Sequence, residues 1–336
     1  MPFESELLSS WLYRLARVNV SKVHTFCRKY FPDQPVWNRD IDKLAPTRLL
    51  KQLSKKSGVP FKTVFATSLR SFEGKLFEKL NSHGNSKWIM PLGIYHRVRR
   101  KFGLQFCPSC LSRDGVHPYF RKYWRLSLYV VCPRCGVFLY DRCPNCGKPI
   151  AFHRNEQGVK NTLISIPICY CSSCKTDLRK VTSVKCSNKL KQIQRRLHDY
   201  ILRGSTSSIP YSHTYFDVLY QVITLMNSKS KKLTSFQEEI SYDLGFDRVK
   251  RTVRSDFDSL SIEHRINLII SSIWVLDKWP KRFLKICLRS NMTSSSILRD
   301  FENAPYWFYK IVMDNRYFAN PLNIPSGRIY VNDRII

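Results

Sequence analysis

Acidic side chains are scarce in this sequence: 25 Asp and Glu face 56 Lys and Arg, and the 336 residues carry a formal charge of +31. That imbalance excludes an ordinary near-neutral metabolic enzyme as the default, because the excess repels itself until a polyanion neutralises it. Long apolar runs are also missing. The longest, Ile266–Leu276, falls well short of the ~20 residues that a membrane-spanning helix needs. The start, Met1-Pro2-Phe3-Glu4-Ser5-Glu6, has no basic segment followed by an apolar stretch, so no secretory signal is read. A soluble intracellular protein without membrane contact is the expectation. No repeat of roughly 20–50 residues points to a solenoid, and there is no low-complexity tract. What is present suffices for real cores: apolar residues make up 43% and aromatic residues 13%. Wholesale disorder is excluded, and the length suggests about two or three domains.

The charge makes nucleic acid the first partner to consider, RNA and DNA not yet separated. Two basic clusters stand out, His96-Arg97-Val98-Arg99-Arg100-Lys101 and Tyr119-Phe120-Arg121-Lys122-Tyr123-Trp124-Arg125. In the second, the aromatics are expected in the core and the basic groups outside.

The chain reads as a mainly α, multi-domain protein. Three blocks are expected: a helical helix-turn-helix domain over 1–100, a double zinc-ribbon domain with small β-hairpins over 101–188, and a helical C-terminal domain over 189–336. In the first block, Leu7, Leu8, Trp11, Leu12, Leu15 and Ala16 recur at helical spacing, which implies a buried stripe. Between Pro46 and Leu69, Pro46 suits a first helical turn, Gly58 a left-handed helix end and Pro60 the start of a second helix. On that reading Leu49, Leu50, Leu53, Val59, Val64 and Leu69 pack the pair. Lys62, Thr63, Ala66, Thr67 and Arg70 then point outward, where Lys62, Thr63, Thr67 and Arg70 meet nucleic acid. Arg97, Arg99, Arg100 and Lys101 are the second candidate set. Lys51, Lys55 and Lys56 suit phosphate contacts or a solvated face equally well. In the last block, helices are expected from Leu190, over Phe216–Met226 and Ile262–Leu276, and from Pro280 to Leu288. The stretch from Ser294 to Val312 resembles a second helix-turn-helix, although its aromatic run better suits a core.

Twelve cysteines are the other anomaly, and ten of them lie between residues 101 and 190. Four Cys-x-x-Cys pairs stand in order: Cys107 and Cys110, Cys132 and Cys135, Cys143 and Cys146, Cys171 and Cys174. In an intracellular chain such pairs are reduced metal knuckles, and two knuckles supply the four tetrahedral ligands of a structural zinc. Eight ligands imply two zinc ions. The intervals of 21 residues from Cys110 to Cys132 and 24 from Cys146 to Cys171 favour sequential pairing, first with second and third with fourth. Spacing alone also allows a crossed arrangement, and Cys169 is placed to substitute for Cys171. Cys27, Cys186 and Cys287 read as small buried hydrophobes. Neither quartet leaves the open position that catalytic zinc needs. No His-x-Glu precedes a Pro-Cys-x-x-Cys, and there is no Gly-x-x-x-x-Gly-Lys and no Gly-x-Ser-x-Gly. An enzyme is not expected; a metal-dependent nuclease is the enzymatic rival, since scattered acids can converge in a fold.

Several segments together resemble the TniQ/TnsD family of transposon target-site selection proteins. They are Glu4-Ser5-Glu6-Leu7-Leu8-Ser9-Ser10-Trp11-Leu12-Tyr13-Arg14-Leu15-Ala16, Phe106-Cys107-Pro108-Ser109-Cys110-Leu111 and the Tyr119–Arg125 cluster. Cys132-Pro133-Arg134-Cys135-Gly136-Val137-Phe138-Leu139 and Asp141-Arg142-Cys143-Pro144-Asn145-Cys146-Gly147 continue the pattern. The likeness covers residues 1 to about 180 well. Beyond that, Trp279-Pro280-Lys281-Arg282-Phe283 is similar to a stretch of longer members. Where the family commonly has His as the last ligand of the first site this chain has Cys135, which makes that site more negative by one charge. The resemblance implies a bacterial, nucleoid-associated, DNA-binding protein of DNA transposition and recombination. It would mark a target site and recruit an AAA+ ATPase regulator of the TnsC type. Some members instead dimerise and bridge a CRISPR Cascade complex with its guide RNA to the transposition machinery. The charge and the Lys62/Thr63/Arg70 face favour direct DNA contact.

Overall fold

The computed structural model describes residues 1–81, 83–156, 166–245 and 256–314. It divides into two compact units, residues 1–73 with 79–199, and residues 74–78 with 200–336. The expected boundaries after residues 100 and 188 both lie within the first unit. Helices dominate; among the described residues the regular sheet is one antiparallel hairpin, β1 (Ile94–Tyr95) and β2 (Val98–Arg99), with Ile94 opposite Arg99 and Tyr95 opposite Val98.

The first unit holds α1 (Leu8–Val18), α2 (Val23–Tyr30), α3 (Ile41–Leu44), α4 (Thr47–Ser57), α5 (Phe61–Phe65), α6 (Pro108–Arg113) and the start of α7 (Asn188–Arg203). Most of the apolar stripe of α1 is buried, with Leu8, Trp11, Leu12 and Ala16 within 1% of full burial, while Leu15 is half-buried. Ser9 and Ser10 are buried too. Ser9 donates its backbone N–H and its hydroxyl to the Asp42 carboxylate at 2.7 and 2.9 Å, and Ser10 Oγ donates to Glu6 at 3.0 Å. Glu6 in turn pairs with Arg14 at 2.6 Å. The chain before α1 lies alongside residues 119–122: Leu7 N–H donates to Phe120 O at 2.8 Å and Lys122 N–H to Ser5 O at 2.8 Å. Phe120, Trp124 and Phe152 close the core behind it, with Phe120 edge-on to Trp124 at 5.6 Å and 4.9 Å from Phe152. Fully burying one such Phe contributes about 1.5–3 kcal/mol.

The Tyr119–Arg125 cluster meets its expectation for the aromatics and departs from it at two arginines. Its aromatics are buried, but so are Arg121 and Arg125, at 1% and 0% exposure. Arg125 forks onto Asp40 at 2.6 and 2.9 Å, reaches Asp42 at 3.3 Å, and donates to the carbonyls of Gly103 and Met90. Arg121 forks onto Asp114 at 2.6 and 2.9 Å and lies over the Tyr119 and Trp124 rings. A buried cation is tolerated only when paired, and the few acids of the sequence supply those partners. Burial opposes the charge of Asp40, yet Arg125 holds its carboxyl below the usual range. Burial and the neighbouring Asp40 raise Asp42 despite Arg125.

The α4–α5 pair turns at Gly58, whose φ of +69° is the left-handed conformation expected there. Leu49, Leu50, Leu53, Val59 and Val64 are buried. Pro46 and Pro60 each immediately precede a helix instead of occupying its first turn. The second helix stops at Phe65 because Thr67 Oγ1 and Ser68 Oγ donate to Val64 O and Phe65 O, and Thr67 O accepts from Leu8 N–H. Chain resumes as a 3-10 turn over Leu69–Phe72.

The second unit contains α8 (Ser212–Met226), α9 (Thr234–Leu244), α10 (Ile262–Leu276), α11 (Lys281–Arg289), α12 (Ser294–Ile297) and α13 (Tyr306–Val312). Three of these match the expected spans within a few residues. The aromatic run of α13 packs a core, as its composition suggested: Phe308 is fully buried and lies 5.5 Å from Trp279, 5.6 Å from Phe283 and 5.9 Å from Phe301.

Candidate metal centres and basic surface

Four turns bring the paired cysteines together. Three share one hydrogen-bond pattern. In the Cys132 turn, Cys132 N–H donates to Val137 O at 2.8 Å and Gly136 N–H to Cys132 O at 2.8 Å. The Cys143 turn repeats this with Lys148 O at 3.0 Å and Gly147 N–H at 2.8 Å, and the Cys171 turn with Thr176 O at 2.9 Å and Lys175 N–H at 3.0 Å. The residue after the second cysteine is left-handed in each, with φ of +67° at Gly136, +66° at Gly147 and +60° at Lys175. Glycine accepts this without a Cβ penalty and lysine does not. Cys107 differs, being the cap of α6: its Sγ accepts from Cys110 N–H and its carbonyl from Leu111 N–H.

The sulfurs of Cys107, Cys110, Cys132 and Cys135 lie within 4.8 Å of one another, and so do those of Cys143, Cys146, Cys171 and Cys174. This is the sequential arrangement, not the crossed one. Individual separations are 3.5 Å for Cys110–Cys132, 3.3 Å for Cys110–Cys135, 3.6 Å for Cys143–Cys174 and 3.7 Å for Cys146–Cys171. A tetrahedral zinc with bonds of ~2.3 Å sets its sulfurs about 3.8 Å apart. The donor set and spacing therefore fit: the two groups can hold metal ions, consistent with two zinc sites. None of the twelve cysteines is in a disulfide. Cys169 is buried outside the second quartet, with its carbonyl accepting from Leu178 N–H. Cys27 and Cys287 are buried as expected, and burial pushes the Cys27 thiol up to about 12. Cys186 is only half-buried, beside the Cys132 turn, where its N–H donates to Gly136 O at 3.0 Å.

A cation answers the fourth thiol of the first quartet: the Arg113 guanidinium donates to Cys135 Sγ. In the second quartet, Thr176 Oγ1 lies 3.1 Å from Cys174 Sγ. Such outer contacts orient metal ligands and tune their basicity.

The eight basic or polar candidates separate into two classes. Lys62, Arg97, Arg100 and Lys101 are exposed, and Thr63 is half-buried. Thr67 is not an outward group: it is 3% exposed and its hydroxyl bonds Val64 O at 2.7 Å. Arg99 is likewise inside, at 7%, donating to Ile150 O at 2.7 Å; burial and nearby Arg125 pull it down to about 10. Arg70 lies on the 3-10 turn instead of α5, half-buried, 3.7 Å from Glu73 and over the Phe65 ring.

Residues 1–139 match the family model TniQ. This segment resembles a TniQ domain. No curated protein matches the chain. The TniQ match includes the first cysteine quartet and ends at Leu139, before the second. The match points to an association with transposition. Among the described residues, no helix is long and apolar enough to cross a membrane.

Sequence reasoning did not find the side chains that surround Arg97. The stack of His153 on Trp37, at 4.9 Å and 4° between planes, and the contact of His24 with both rings link α2 to the segment after the Cys143 turn. Single His and Trp residues far apart in a chain carry no spacing signal.

Proposed function

We propose that this protein selects the target site in transposition: it contacts DNA directly and recruits an AAA+ ATPase regulator of the transposase. It would do so as an adapter and not as a catalyst. Cys107, Cys110, Cys132 and Cys135 hold one zinc ion, and Cys143, Cys146, Cys171 and Cys174 a second, both structural. The observation that carries the reading is the TniQ match over residues 1–139 in a chain of net charge +31. The buried arginines strengthen it, because Arg121 and Arg125 have their own carboxylate partners while Lys62, Arg97, Arg100 and Lys101 face outward. On this reading Lys62, Thr63 and Arg70 form one candidate contact face, beside the α4–α5 turn, which serves as a helix-turn-helix.

Salt titration of binding to random-sequence duplex tests the DNA part. Contact through six or more phosphates gives a log–log slope of about −5 or steeper. A flat response would instead support the protein-bridging role, in which a guide-RNA complex reads the sequence. Co-purification with the transposon's own ATPase regulator tests recruitment, and failure of the two proteins to associate on target DNA would refute it.

A further inference from the structure

The hairpin β1–β2 is short, basic and turned by the wrong residues. His96 and Arg97 form its tip with φ of +44° and +64°. Two consecutive left-handed residues define the type I′ turn, which ordinarily selects Asn-Gly. L side chains adopt that conformation only where their surroundings impose it. Here the surroundings do. Arg97 O accepts from Nε2 of buried His153 at 3.2 Å, and Arg97 Nε donates to Asn38 Oδ1 at 3.0 Å. His153 is held neutral by burial and by Arg99. Below the tip, Arg99 turns inward onto Ile150 O, while Arg100 and Lys101 continue the ladder onto Gly93 O and Leu92 O at 3.1 Å each.

One face of the ribbon is therefore fastened down and the other is bare. Tyr95 and Val98, opposite each other, are 54% and 38% exposed, and the Arg100 guanidinium lies over the Tyr95 ring at 4.2 Å. A hollow of about 570 Å³ bordering Ile94 is lined by Arg39, Lys43, His83, Asn85 and Lys101. A second, of about 280 Å³, is lined by His24, Arg28, Trp37 and Arg97. Asn38 borders both. Asp40, the carboxylate on the first hollow, is paired with Arg125.

We propose that the hairpin Ile94–Arg99 is a β-ribbon that enters the major groove of duplex DNA, with Arg97 and Arg100 making the contacts. The inference deepens the reading that the chain touches DNA directly, and rests on it. Two strands ~4.8 Å apart fit a groove about 12 Å wide, and the hollows lined by Lys101 and by Arg97 suit the flanking phosphates. Single-stranded nucleic acid is the poorer match, because its binders offer open aromatic faces to bases, and Arg100 already covers a face of Tyr95.

The test uses the full-length, zinc-loaded chain and a random-sequence duplex. Arg97→Gly removes the guanidinium while easing the left-handed turn, and Arg100→Gln changes an exposed side chain, so both variants should keep the wild-type circular dichroism and zinc content. The double variant is expected to bind about tenfold more weakly or worse, with a salt slope shallower by about 2. It should also lose the protection that wild type gives guanine N7 against dimethyl sulfate. Wild-type affinity and N7 protection in the folded double variant would overturn the hairpin's role while leaving DNA contact standing. Failure of wild type to bind duplex would overturn both.

Discussion

Arg125 offers the sharpest test of how the first unit is held together. Its guanidinium is fully buried and bonded to Asp40, Asp42, Gly103 O and Met90 O. Replacing it with Leu preserves apolar bulk but strands two carboxylates and two carbonyls. Removing one partner of a buried ion pair costs about 3–5 kcal/mol, against a total stability of about 5–15 kcal/mol. With a urea m value of about 2 kcal/mol/M, the midpoint should fall by roughly 1.5–2.5 M. The loss should also depend on pH, with a defined sign. In wild type, Asp40 is held below its ordinary range by Arg125, so it contributes stability above the ordinary carboxyl pKa, and that contribution fades as pH falls through the folded value. Without Arg125, burial is opposed only by the smaller effects of Arg99 and the Lys43 N–H, and Asp40 should rise. The carboxylate then destabilises the variant at neutral pH, and its protonation relieves the fold as pH falls. The difference between the two proteins is therefore largest near pH 7 and shrinks toward pH 4. Urea melts of both proteins across that range, with zinc retention followed in parallel, measure it. A difference under about 1 kcal/mol that does not change with pH would refute the account of this network.

Replacing Cys107 and Cys110 with Ser should remove about one zinc per chain and leave the other, because half a quartet cannot complete tetrahedral coordination. Elemental analysis showing unchanged zinc would sink the first site. In the Cys143 turn, Gly147→Ala should lower stability by about 1 kcal/mol from the left-handed backbone alone, since nothing lies within 4 Å of the added Cβ. Lys175→Gly, at the matching place of the Cys171 turn, should act in the opposite direction; thermal melts in which both changes have the same sign would contradict the shared turn geometry.

Much of the candidate metal site was legible from spacing. A Cys-x-x-Cys turn is a local object, closed by its own backbone, so its four copies and the Gly after two of them could be read directly. Helix positions in the second unit were legible for a similar reason: an apolar stripe at helical period declares both the element and its buried face, as in Ile262–Leu276. The α4–α5 turn at Gly58 was also readable, but the end of the second helix was not. That end depends on Leu8 N–H reaching Thr67 O from elsewhere in the chain.

By itself, then, the sequence determined the cysteine turns, the main helices and the large positive charge, because each is a property of near neighbours or a simple sum. Spacing favoured sequential pairing while still allowing the crossed one, and the fold gathers the sulfurs in sequential pairs. Tertiary structure also decided which cations face water. Arg121, Arg125 and Arg99 look no different in sequence from Arg97 and Arg100, yet the first three are buried among carboxylates and carbonyls. An arginine's surroundings depend on distant partners such as Asp40 and Asp114, and no local pattern encodes that meeting.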